Sequence, residues 1–241
     1  MKKLIALSSA DLKNIIRDST LVLILFGTAA IFVVLRFAVP LANNLLLDKY
    51  SFDLTEYYPL IVIYMSMLPS LLFGMLTGFI ILDERDEEII SFIAVTPLGK
   101  KGYFAYKILS SVVMSFVFFF INIYASGLVN IPLVYSIGLA LLTALEAPIG
   151  AIFLAAFASN KVEGMALSKV LGMIYIAPFI AYFVKSDLQY FAGVLPTFWV
   201  TKAFFSVYYE TGGYWLFVLA GLLIHLLFIF LLGKKFYNSG R

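Results

Sequence analysis

The chain has 241 residues, of which 63 % are hydrophobic and 13 % charged, and a net charge of +3. Soluble domains carry about 45–50 % apolar and about 25 % charged residues, so this composition, with a mean hydropathy of +1.01, excludes a soluble fold and predicts an all-α, polytopic membrane protein. With no cysteine and one histidine, the chain lacks both a disulfide framework and a Cys/His metal cluster; neither a metal site nor a nucleic-acid partner is expected.

Residues 1–18 come first. At helical spacing Leu4, Ile5, Leu12, Ile15 and Ile16 share one arc, with Lys2, Lys3, Lys13 and Arg17 opposite. This predicts an amphipathic helix in the membrane interface. It is not a cleavable signal, because no small-residue cleavage site follows an apolar core. The first span is predicted over 19–39, since about 20 residues cross a hydrocarbon core of about 30 Å. Arg36 lies near its far end, where it can snorkel. Pro40 is expected to end the helix, leaving 41–57 as a polar loop. The second span, 58–82, contains Pro69 and the series Ser70-x3-Gly74-x3-Gly78. Small residues four apart admit a close helix neighbour, here expected within the same subunit.

Residues 83–98, DERDEEIISFIAVTPL, form the most charged stretch of the chain. They are too polar for hydrocarbon and must lie on one side of the membrane. Acids in a first turn, then Ile89, Phe92 and Ile93 at helical spacing, predict a short surface helix. Pro97 stops it, with Thr96 extended before it. The alternative is a solvated loop that only joins two spans.

The third span is predicted over 108–130, with Lys100, Lys101 and Lys107 before it. A turn at Pro132 leads to the fourth, 135–158, which holds Glu146 near its middle and Pro148 beside it. Residues 159–164 (SNKVEG) read as a polar loop. The fifth span is 165–184, with Lys169 near its start and Pro178 inside. Residues 185–213 are broken by Gly193, Pro196, Gly212 and Gly213 and rich in aromatics. They suit short helices in the outer interface, the depth favoured by Trp and Tyr. The sixth span, 214–232, contains His225. The whole chain is thus one transmembrane domain. Thirteen of its 17 Lys and Arg fall on the side of the termini, which predicts that both termini are cytoplasmic. The 83–101 loop and 159–164 then face the cytoplasm, and 185–213 the outside.

Catalytic constellations are missing. Gly99-Lys100-Lys101 and Gly233-Lys234-Lys235 lack the rest of a phosphate-binding P-loop. There is neither a Gly-x-Ser-x-Gly elbow nor a His-Glu-x-x-His motif. No catalytic residue is expected, and an intramembrane enzyme is disfavoured. Glu146 is the one acid deep in a span, where a charge costs roughly 2.5–3.5 kcal/mol. Three roles stay open: contact with a cationic substrate, proton relay, or a structural bond between helices. For His225 a neutral interhelical hydrogen bond is expected.

Glu84-Arg85-Asp86-Glu87, an apolar helix, Thr96-Pro97-Leu98 and then Lys107 together resemble the cytoplasmic signature of ABC-2-type transporter permeases. Glu88 and Ile89 stand where that family usually has Gly-Thr. Phe52-Asp53-Leu54 with Tyr57-Tyr58-Pro59, the stretch Asn160–Gly164, and His225-Leu226-Leu227 with Lys234-Lys235-Phe236 resemble the branch of fluoroquinolone-type drug export permeases. The resemblance implies a permease paired with a second copy or a paralogous permease. It also implies a separate ABC ATPase carrying ATP and Mg, as this chain holds no cofactor. Asp83, Glu84, Arg85, Glu87, Glu88, Ile89, Phe92, Ile93, Thr96 and Pro97 would couple to that ATPase, and Asn160, Lys161 and Glu163 would form a second contact. Apart from the resemblance, the first of the three open roles of Glu146 would put it on the substrate path. The rival readings are a proton-coupled secondary transporter using Glu146 and a non-transporting membrane scaffold.

Overall fold

The computed structural model describes residues 11–238. Lys2, Lys3, Leu4 and Ile5 of the expected interfacial helix, and Arg241, lie outside the described residues. Of that helix, 11–17 form α1. Six further helices are long and apolar enough to cross a membrane. They are α2 (Ser19–Tyr50), α3 (Tyr58–Asp86, entered through a 3-10 turn at Leu54–Tyr57), α5 (Gly99–Ser126), α6 (Leu133–Phe157), α7 (Lys161–Phe183) and α9 (Tyr214–Asn238). Between them lie a short α4 (Ile89–Ala94) and α8 (Pro196–Tyr208).

The prolines locate most departures from the expected boundaries. Pro40 does not end the first span. A π-helical turn at Val34–Ala38 precedes it, and the helix then continues to Tyr50. The wider turn absorbs the donor that proline lacks and moves the preceding carbonyl off its ring. Residues 41–50 are therefore helix rather than loop, stopped by Ser51 in the left-handed region. Pro148 removes the partner of the Ala144 carbonyl, and α6 breaks at a single residue, Leu145. Pro178 follows a 3-10 turn at Ile174–Ile176 in α7. Only Pro69 sits inside an uninterrupted α-helix.

Two further boundaries shift at the charged end of the bundle. The third span begins at Gly99, nine positions before the expected start. The stretch 159–164 is no loop, because α7 begins at Lys161. The Asn160 side chain accepts from the Glu163 N–H at 3.0 Å, and the Glu163 carboxylate accepts from the Ser159 N–H at 2.6 Å. This reciprocal cap satisfies one donor of the first turn and one just before the cap.

Helix α8 is packed among other helices rather than exposed. Phe198, Val200 and Phe204 are fully buried, and the helix packs between α9, α7 and α6. The Trp199 indole donates to the Gly193 carbonyl at 2.7 Å, and the Thr197 hydroxyl donates to the Ile174 carbonyl at 2.6 Å. The interruptions at Gly193 and Pro196 thus fold the segment back into the bundle. Its aromatics build the main core together with Ile63, Met67, Phe119 and Leu139.

The small-residue series of α3 packs within the subunit. A Cβ on Gly74 would sit 2.7 Å from the Ala147 backbone oxygen in α6. A carbonyl of a packed helix cannot rotate away, whereas Gly172 has open space around it. Gly74→Ala is expected to lower stability by about 1–3 kcal/mol, the usual cost of overpacking. Gly172→Ala should leave it equal or slightly raised, by at most about 1 kcal/mol. Thermal unfolding of the two variants in one detergent tests the contrast; equal melting points would refute it.

Candidate functional site

The charged stretch after the second span is divided by its backbone. The acids do not begin the surface helix. Asp83, Glu84 and Asp86 instead close the last turn of α3, at the negative end of the helix dipole, where anions are unfavourable. Tertiary pairing outweighs this local preference. Glu84 is 4 % exposed and Lys107 of α5 is 1 % exposed. The Lys107 ammonium donates to Glu84 at 3.0 Å and also binds Asp11 of α1. The Tyr103 hydroxyl donates to the second oxygen of Glu84, and the Tyr106 hydroxyl donates to Asp11 at 3.2 Å. Arg85 reaches the C-terminal end of α6, donating to the Ala155 and Ala158 carbonyls at 3.1 and 2.6 Å. That end lacks intrahelical donors and carries partial negative charge.

A second bridge forms beside the first. The Lys161 ammonium spans Asp18 at 2.5 Å and Asp83 at 2.6 Å. Asp18 also caps α2 by accepting from the Thr20 and Leu21 N–H groups at 2.8 and 3.1 Å. The hydrogen bond from Lys161 holds the Asp18 carboxyl below the usual carboxylate range. Asp83, Glu84, Arg85 and Lys161 therefore point inward and join α1, α2, α3, α5, α6 and α7 at one end of the bundle.

Glu87 and Glu88 remain exposed. Glu88 takes φ +59, and α4 starts at the next residue, Ile89. A left-handed residue costs a side chain roughly 1–2 kcal/mol and glycine almost nothing, which explains the resemblance's preference for glycine here. Ile90 anchors α4 to Ile81 and Tyr103, while Ile89 and Ile93 are half-buried. Phe92 and Val95 are 70 % and 87 % exposed. The Thr96 hydroxyl donates to the Ile93 carbonyl at 2.7 Å. Thr96 and Pro97 are exposed, and Gly99 at φ +65 turns the chain into α5.

Four members of the inner cluster, Asp11, Asp18, Tyr103 and Tyr106, were not singled out in the sequence. The signal available was Lys107. It falls on the buried face of α5 with Tyr103, Ser111, Ser115, Phe119 and Asn122, and a lysine in that register requires a buried acid.

Glu146 begins the second half of α6, just after the break, and is 6 % exposed. Its Oε2 accepts from the Tyr175 hydroxyl at 2.6 Å, while Oε1 has no protein partner. The pair links the break of α6 to the 3-10 turn of α7. Beside it lies a small cavity of about 20 Å³ bordered by Gly150, Leu171 and Thr197, and no basic side chain lines it. His225 does not bond another helix: its Nδ1 lies 2.7 Å from the Gly221 carbonyl of its own α9.

Six crossing helices, joined by a charged turn whose short helix projects between the second and third, define a membrane permease of the ABC-2 type. More narrowly, the chain belongs to the Rv2686c-like family of fluoroquinolones export permease proteins, whose family model matches residues 11–233. It is similar to the fluoroquinolones export permease protein Rv2686c of Mycobacterium tuberculosis (strain ATCC 25618 / H37Rv), 29 % identical over 238 residues, covering 98 % of this chain and 94 % of that one. The fluoroquinolones export permease protein MT2760 of strain CDC 1551 / Oshkosh matches to the same extent. No solved structure gives a significant match.

The inner cluster makes a double-mutant prediction. Lys107→Met and Glu84→Gln should each destabilise the protein, by about 3–5 kcal/mol where a buried charge loses its partner. The double variant should cost less than the two singles together, as thermal unfolding will read; strict additivity would exclude the pairing. Glu88→Gly should raise stability by up to about 1 kcal/mol by relieving the left-handed residue. A loss of stability in that variant would show that its side chain matters more than its φ.

Proposed function

We propose that this chain is the membrane subunit of an ATP-driven exporter, energised by a separate ATPase that carries the ATP and Mg. The observation that carries the reading is α4: a short helix, anchored by Ile90 between two spans, with Phe92 and the following Val95 exposed beside the acids Glu87 and Glu88. Large apolar side chains on a charged aqueous face fit a soluble partner better than water. Glu87, Glu88, Ile89, Phe92, Ile93, Thr96 and Pro97 form the docking surface. Asn160 and Glu163 form the smaller contact at the start of α7. Asp83, Glu84, Arg85 and Lys161 couple by joining that surface to the spans rather than by touching the partner.

The excess of Lys and Arg at the charged end supports a cytoplasmic position for it and for both termini, in the cell membrane. Two permease copies, identical or paralogous, complete the transporter. The names of the Mycobacterium tuberculosis relatives support a fluoroquinolone-type drug as substrate.

Glu146 supports a second reading. Its unpartnered Oε1 beside a cavity at two helix irregularities suits a chain that moves protons and substrate without an ATPase. Uptake or efflux by the purified chain alone in liposomes under a pH gradient would establish that reading.

Phe92→Asp combined with Val95→Asp is expected to abolish co-purification of the ATPase and substrate-stimulated ATP hydrolysis, with melting temperature unchanged because both positions are exposed. A fully retained ATPase would overturn the docking surface.

A further inference from the structure

The charge cluster borders a cleft that the docking role does not use. It lies where α1, the first half of α2, α3 and α5 meet, and its volume is about 270 Å³. Phe73, Leu76, Ile80 and Met114 form its apolar wall; Asp11, Tyr106, Lys107, Ser110 and Ser111 form its polar end. Met114 and Leu25 at its edge are 50 % and 38 % exposed, so the cleft opens sideways, toward lipid. A concave apolar wall with a few convergent polar groups is the make-up of small-ligand sites.

The polar end has a definite sign. One ammonium, Lys107, faces two carboxyl groups, Asp11 and Glu84. The Ser110 and Ser111 hydroxyls donate to their own helix, to the Lys107 and Ile108 carbonyls at 2.8 Å each. Their oxygens are left to accept. The Tyr106 hydroxyl already donates to Asp11. Asp11 lines the cleft, and Glu84 lies behind it on the far side of Lys107. The cleft thus offers acceptors next to an apolar wall, backed by a cluster in which two carboxyl groups face one ammonium. That is the complement of an amphiphile with a cationic, hydrogen-bond-donating end.

We propose that this cleft captures amphiphilic amines from the adjoining leaflet, with the ammonium at Asp11, Ser110 and Ser111 and the apolar body along Phe73, Leu76 and Met114. As a step toward export the site rests on the transport reading; as a binding site it does not. The test therefore measures binding without the ATPase. The purified chain in lipid nanodiscs is titrated with a dansylated alkylamine and with the same dansylated chain ending in a carboxylate, each corrected for empty discs. Wild type is expected to bind the amine saturably and the carboxylate at least about tenfold more weakly. Met114→Trp fills the cleft from a half-exposed position and should weaken the amine at least about tenfold at unchanged melting temperature. Ser110→Leu, filling it from the preceding turn, should do the same if Met114→Trp unfolds. Asp11→Asn should narrow the preference for the amine. Absence of saturable binding, equal binding of amine and carboxylate, or full binding by both filled variants would overturn the site. ATPase-driven export of the amine by the filled variants at wild-type rate would also overturn it and leave the transport reading intact. Amine binding without ATP-driven export would do the reverse.

Discussion

The buried ammonium of Lys107 constrains the rest of the charged end. Removing such a group from water is costly, and opposite charges that also accept hydrogen bonds offset the cost. Here the oxygens come from Glu84 at the end of α3 and Asp11 in α1. Satisfying one lysine therefore fixes the relative height of three helices. It also fixes where α3 must end, because Glu84 has to face α5 inside the bundle. The chain beyond it leaves through Glu87 and Glu88 and emerges as α4. Lys161 repeats the arrangement for α2, α3 and α7, so ion pairs at the root of α4 tie several spans together.

The membrane-embedded part follows a different rule. Pro40, Pro148 and Pro178 each come just after an irregular turn, a π turn, a one-residue break and a 3-10 turn respectively. Each proline removes one backbone donor, and in hydrocarbon an unpaired carbonyl is expensive. The irregular turns redistribute that deficit. Two of them are joined by the Tyr175–Glu146 hydrogen bond, while the Gly74 contact brings α3 close against the second half of α6. Close contacts and irregular turns thus alternate along the same helices.

Much of this was legible in the sequence. Hydropathy placed all six spans because backbone satisfaction in a bilayer leaves little choice but helix. The stop at Thr96-Pro97 and the use of Gly74 within the subunit also followed from local chemistry. Pro40 misled because its effect depends on the turn before it, and a π turn leaves no trace in residue type. The acids 83–86 misled because their own dipole preference opposes their actual place; only the distant partners Lys107 and Lys161 decide it. For 185–213 the glycines and aromatics point to interfacial depth but not to burial within the bundle. What distinguishes it is the pocket that the other helices leave for Phe198 and Phe204, which no local pattern encodes.

The sixth crossing helix is held along one side. Of its 25 residues, only Tyr214, Gly221 and His225 are buried, and the Phe236 ring packs against Phe104 near its far end. The Tyr214 hydroxyl donates to the Tyr135 carbonyl at 2.6 Å and ties the start of the helix to α6. Trp215, Leu216, Leu223 and Phe230 face outward, each more than half exposed. The bilayer is the solvent for that outer face, so a mismatch between its length and the hydrocarbon thickness is met by lipid and tilt more than by neighbouring helices.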